Sequence, residues 1–154
     1  MNLSYWLLLA AVGLAVVGAS FLVLGRANPE AVTVESASLS DMQIEIADTN
    51  AARVQGLSGR SALADDYGML FVFEDVGRYG FWMKDMYLVI DIIWIKDNGE
   101  IVGIEREVSP ETYPTVFYPP EPVRYVLEIA GGSAERRGFL VGARINVGAA
   151  IEKN

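Results

Sequence analysis

Apolar and polar positions along the chain fall into two regimes. Residues 3–24 form one unbroken apolar run with no charged side chain and no amphipathic face. As a helix at about 1.5 Å per residue, such a run is roughly 33 Å long, enough for a bilayer core of about 30 Å. Tyr5 and Trp6 near its start suit the membrane interface. A signal peptide has a basic start and a shorter apolar stretch of about 7–15 residues. Neither is present, so an uncleaved single anchor is favoured, with Gly18, Ala19 and Ser20 keeping late cleavage open.

Beyond a linker at 27–40, interrupted by Pro29, the pattern shortens to the two-residue period of strands. Residues 42–47 alternate as a half-buried strand. Residues 49–55 predict a short helix, capped by Asp48 or Thr49 and ended by Gly56. Strands are expected at 69–73 and 79–83. Residues 87–96 and 100–108 form the clearest hairpin, because Asn98-Gly99 between them supplies the positive φ angles of a tight turn. Within it, 89–95 is apolar on both faces, the mark of a central strand covered on both sides. Residues 109–122 hold five of the six prolines, with Tyr113, Phe117 and Tyr118 between them. They read as a rigid crossover whose aromatics plug one end of the sheet, or as a ligand-facing lid. A strand at 124–129 places Tyr125, Leu127 and Ile129 on one face and Arg124, Val126 and Glu128 on the other. A helical turn at 133–137 and a last strand at 144–147 close the pattern. The expected fold is mainly β, a compact β-sandwich or partly closed barrel with one or two short helices. It occupies 41–149 as a single domain, after a transmembrane anchor or signal segment at 1–26.

Composition narrows the chemistry. All 20 acidic side chains follow Arg26, against 11 basic ones there, a net −9. That balance disfavours nucleic acid, which needs a basic face. The chain has no His and no Cys. Imidazole bases, thiol nucleophiles, disulfides and zinc sites of the usual composition are therefore excluded. Catalysis would rest on carboxylates, Lys, Tyr or Ser/Thr. Asp97, Asn98 and Glu100 lack the ligand spacing of a calcium loop, so no metal is expected, nor any cofactor.

Asp91 is the sharpest candidate, a carboxylate inside an apolar strand. It needs a partner, with Lys84, Arg53 and Arg60 available. It reads either as a buried hydrogen-bonded anchor for a loop or as a general acid, a base or a ligand contact. Glu128 reads as a cross-strand ion pair on a wet face, four positions from Arg124. If it approaches Asp91, the two form a carboxylate pair of the kind that cleaves glycosides. Phe81, Trp82 and Met83 read as core or as the wall of a pocket. Arg60, followed by Ser61, offers an anion contact.

Together these residues resemble one family, the prokaryotic domain of unknown function 192. Its Gly-Leu-x-x-Arg entry is matched by Gly56, Leu57 and Arg60. Its Gly-Met-Leu-Phe-x-Phe strand is matched by Gly68, Met69, Leu70, Phe71 and Phe73. Phe81, Trp82, Met83 and Lys84 match the start of Phe-Trp-Met-Lys-Asn-Thr, while Asp85 and Met86 depart from it. Ile90 to Ile93 match a Leu-Asp-Ile-Ile strand, and Leu127, Glu128 and Gly132 a late Leu-Glu stretch with a following Gly. Val89 stands for a usual Pro and Ala143 for a usual Asp. The resemblance implies a compact, mainly β domain behind an export signal or anchor, and brings no reaction, cofactor or partner.

Arg26, the only basic side chain near the apolar run, would by itself keep the following residues cytoplasmic. One residue weighs little, and the resemblance favours an exported domain. The expectation is a membrane-anchored extracytoplasmic binding or accessory domain. It is tied to the bilayer through 3–24, takes an envelope ligand or a membrane protein, and has its site around Arg60, Trp82, Met83, Lys84, Asp91 and Glu128. A carboxylate-based envelope hydrolase and a structural partner of another membrane protein are the alternatives.

Overall fold

A computed structural model describes residues 38–153. The expected anchor and most of the linker lie outside the described residues. Among the described residues, no helix is long and apolar enough to cross a membrane.

Five strands make the main sheet: β1 (Gln43–Ala47), β2 (Tyr67–Gly77), β4 (Ile90–Ile95), β5 (Ile101–Val108) and β7 (Val123–Ala130). Their order is β1-β2-β7-β4-β5. β1 and β2 run parallel, joined through α1 (Asn50–Gln55), and every other neighbouring pair is antiparallel. Two short strands, β3 (Phe81–Trp82) and β6 (Val116–Phe117), form a separate ribbon. β1 and β5 are the edges of the main sheet, so the barrel alternative does not hold. The second sheet has only two strands, so the architecture is one five-stranded sheet with unlike covers on its two faces.

The centre of the sheet is buried on both sides. All six residues of β4 are buried. One face joins Ile44, Leu70, Ile93, Ile95, Leu127 and Ile129 to Phe139, Ile145, Val147 and Ala150 from the C-terminal region. The other joins Met69, Phe71, Ile90, Ile92, Trp94 and Val126 to Leu57, Met83 and Met86, with Phe81 and Phe117 of the ribbon packed against them. The face that carries Glu128 is therefore not wet. Its cover comes from chain segments distant in sequence, which strand alternation does not register.

Local chemistry sets the boundaries. Thr49 caps α1, its hydroxyl accepting from Ala52 N at 3.1 Å, and Gly56 ends the helix at φ 50°. Gly99 makes the hairpin turn at φ 83°, the one positive φ where the Asn98-Gly99 pattern predicts two, and a Cβ there would lie 2.3 Å from the Ile145 carbonyl oxygen. That oxygen-side approach locks the hairpin to the 143–145 segment, where Ile145 N donates to Gly99 O. The last strand expected at 144–147 is reduced to one bridge between Glu100 and Arg144. Asn146 then accepts from Ala149 N and starts α3 (Val147–Glu152). A good cap ahead of small helix-compatible residues outcompetes strand extension there.

The proline-rich 109–122 segment contains a 3-10 turn (Pro110–Thr112) and β6. Phe117 packs into the second core, whereas Tyr113 and Tyr118 are exposed.

Candidate functional site

The two carboxylates singled out in the sequence lie on opposite faces of the main sheet. Asp91 sits directly across from Ile129, and Ile92 across from Glu128. They form no carboxylate pair.

Asp91 is fully buried and accepts three backbone N–H groups. Glu107 N lies 2.7 Å from Oδ1, Gly132 N lies 3.1 Å from Oδ1, and Ala134 N lies 2.8 Å from Oδ2. None of the cationic partners considered for it, Lys84, Arg53 or Arg60, makes these contacts. The donors are presented by irregular backbone. β5 carries a bulge opposite Asp91, where the register jumps and Glu107 adopts φ 50°. α2 (Ser133–Arg136) begins at Gly132, at φ 75°, and lacks a side-chain cap of its own. Asp91 supplies that cap from another strand, holding the bulge, the turn after β7 and the start of α2 together.

Glu128 has the opposite environment. It is only 6% exposed, on β7 between Met69 of β2 and Ile92 of β4. Its carboxyl has no hydrogen-bond or ion-pair partner among the described residues, and the pair with Arg124 is not made. Burial alone pushes the carboxyl from an ordinary 4.5 up to about 8. It is therefore protonated at neutral pH.

Glu128 lines a cleft of about 330 Å3. The walls carry Phe71, Phe73, Tyr79, Phe81 and Trp82, with Met86 and the end of α1 completing them. The rings hold one another in place. Phe71 and Phe81 meet edge to face at 4.9 Å, and Phe73 stacks on Tyr79 at 3.6 Å. Phe81 in turn abuts Trp94 of the core at 5.4 Å. Trp82 is 56% exposed. Arg53 faces the Phe73 ring at 5.3 Å and donates to Asp48 O, Val72 O and Asn50 Oδ1. Two buried donors without a partner, Trp94 Nε1 and Arg124 Nε, belong to residues on the same sheet face.

The remaining candidates divide. Trp82 lines the cleft, whereas Met83 is buried in the core. Lys84 is exposed, and it is its backbone carbonyl that accepts from Ser58 Oγ at 3.0 Å. Together with Gly59 N donating to Asp85 O, this ties the turn after α1 to the turn after β3. Asp85 sits at φ 56°, a conformation that Asn and Asp tolerate. Met86 stands where the family pattern carries Thr, which makes this cleft more apolar. Arg60 lies apart, on Glu45 at 2.7 Å and Tyr67 Oη at 3.0 Å. The sequence reading missed Phe71, Phe73, Tyr79 and Met86 as cleft residues and considered Arg53 only as a partner for Asp91. The signal was present in the aromatic density of 71–82, where core packing reads the same way.

This site can hold a small, largely apolar molecule against aromatic faces and offer it one carboxyl. No group of three or more His, Cys, Asp or Glu suited to a metal ion occurs among the described residues.

Two solved structures are similar to the chain. One is a suggested transcription regulator from Sinorhizobium meliloti, 36% identical, with a TM-score of 0.64, covering 67% of this chain and 79% of that one. The other is a protein of unknown function from Novosphingobium aromaticivorans, 31% identical, with a TM-score of 0.64, covering 67% of this chain and 73% of that one. No curated protein matches the chain. The family model of the uncharacterised domain DUF192 matches residues 31–147. The chain thus belongs to the family of the domain of unknown function 192.

Proposed function

We propose that the chain is a membrane-anchored, extracytoplasmic binding module whose site is the aromatic cleft above Glu128. The observation that carries the binding reading is the unpartnered buried carboxyl opening into a ring-lined cleft. A carboxyl in the interior without a partner costs stability, and a bound ligand offsets that cost. Anchoring rests on the charge-free run at 3–24 and export on the family resemblance. The role suggested for the Sinorhizobium meliloti protein finds no support in the charge balance, since the part beyond Arg26 is strongly acidic.

The hydrolase alternative needs a second carboxylate within reach of the first. Asp91 is on the far face, and Glu128 is the only carboxylate among the residues that line the cleft.

Trp82 at the rim provides the readout. Small fragments of fitting volume (benzyl alcohol, a methyl hexoside, an N-acetyl amino sugar and choline) are titrated against the chain while tryptophan emission is followed. The expected result is a saturable change with at least one fragment and, in Trp82→Ala, which lacks the reporter, a smaller rise of the melting temperature with that fragment. Trp82 is more than half exposed, so this variant keeps the fold. If no fragment perturbs the emission or raises the melting temperature, the cleft is not a binding site.

A further inference from the structure

The polar groups around the cleft are unequally committed. Asn50 Oδ1 accepts from Arg53, and Gln55 Nε2 donates to the Ser58 carbonyl. Ser58 Oγ donates to Lys84 O, and Tyr79 Oη donates to Asp75 O. Arg53 directs Nη1 to two carbonyls and Nη2 to Asn50, and its guanidinium faces Phe73. Glu128 is left as the one buried polar side chain of the lining without a partner, while the uncommitted atoms of Asn50, Gln55 and Trp82 belong to exposed side chains. A ligand matched to this arrangement presents one polar group to the carboxyl and apolar surface to everything else. A sugar, with hydroxyls on every side, finds uncommitted polar atoms only on exposed side chains and a single carboxyl among the buried ones. An anion meets an arginine that is already engaged and, once Glu128 ionises near pH 8, a carboxylate that repels it.

We infer that the cleft binds an organic cation, an alkylammonium group held between the aromatic rings and the Glu128 carboxylate. This rests on the binding reading above and names the ligand class of the same site. Ring faces carry negative electrostatic potential, and a cation within about 6 Å of a ring centroid is attracted to it. Arg53 over Phe73 is an instance already present in this wall. A desolvated carboxylate adds the full counter-charge that the rings lack. The charged and titratable groups facing Glu128 across the cleft are Arg53 of α1 and Tyr79 ahead of β3; its strand neighbours Met69 and Ile92 are uncharged.

Such binding is coupled to a proton. The free carboxyl holds its proton up to about pH 8. A cation selects the ionised form, so one proton leaves for each cation bound at neutral pH. Apparent affinity rises about tenfold per pH unit up to pH 8 and levels off above it.

The test is calorimetry on the full chain with choline and with dimethylbutanol, in which carbon replaces the quaternary nitrogen. Choline is expected to bind at least about tenfold more tightly than the uncharged isostere at pH 8.5, with affinity falling toward pH 6. At pH 7 its apparent heat should vary with the ionisation heat of the buffer, reporting proton release. Glu128→Gln, which keeps the volume, should cut the preference to the smaller share that the rings supply and erase the pH dependence. Equal affinity for the two probes, or choline binding indifferent to pH and to Glu128→Gln, overturns the cation assignment and leaves the cleft as a neutral binding site. Failure of both probes, together with silence of the wider fragment set, removes the binding reading as well.

Discussion

A carboxyl that accepts three backbone N–H groups and a carboxyl that accepts none sit on neighbouring strands of the same sheet. Both are glutamate or aspartate in an apolar run, and residue type alone does not tell them apart. Asp91 stabilises. Asp91→Asn keeps the shape but places an NH2 group against backbone donors. The expected loss is about 2–4 kcal/mol in urea unfolding, given the worth of charge-assisted bonds and the cost of orphaned N–H groups. An unchanged midpoint would show that the three donors find other partners. Glu128 does the reverse. Below pH 4.5 it is protonated in both folded and unfolded chains. Between 4.5 and about 8 only the unfolded chain loses the proton, so the stability present at low pH declines as pH rises, and the decline ends near 8. The slope is at most about 1.4 kcal/mol per pH unit. Glu128→Gln removes it, so the variant should gain on the natural chain by roughly 3 kcal/mol between pH 5 and pH 8, measured by paired urea titrations. A constant difference across that range contradicts a neutral buried acid.

At the scale of elements, strand alternation carries far because most strands here are regular. The hairpin around Asn98-Gly99, the stop at Gly56 and the doubly covered β4 follow from residue patterns alone, whereas the choice of Thr49 over Asp48 as the cap needs the structure. The final strand does not, because Asn146 caps a helix at a point where alternation is too short to decide. The bulge at Glu107 was also illegible, since its cause is the carboxylate across the strand rather than anything local. Gly99 tests the link between hairpin and C-terminal region. Gly99→Ala combines a positive φ with a Cβ against the Ile145 carbonyl. It should cost about 2–4 kcal/mol and raise amide exchange at Ile145 as well as in the turn. A loss confined to the turn would mean that the 143–145 segment holds without it.

At the scale of the whole molecule, the family was legible in the motifs, whereas the site was only half legible. Glu128 and Trp82 were named from the sequence, but the cleft joins them to Arg53, Phe73 and Tyr79 through folding, not through spacing. Whether Asp91 and Glu128 form one pair is not legible in the sequence, because strand faces on β4 and β7 cannot be aligned without the register. Membrane attachment belongs to this scale too. The run at 3–24 predicts that the chain stays in the membrane fraction through a high-salt wash and that deletion of residues 1–26 releases it. Protease should reach the rest of the chain in intact cells with a permeable outer layer; digestion only after lysis contradicts export. Binding, stability and pH response all turn on a neutral acid at the foot of an aromatic cleft. A carboxyl-carbon NMR titration, assigned with Glu128→Gln, addresses it most directly. Glu128 is expected to show a midpoint near 8 that drops when choline fills the cleft. A midpoint close to the ordinary 4.5 in the empty protein would contradict it.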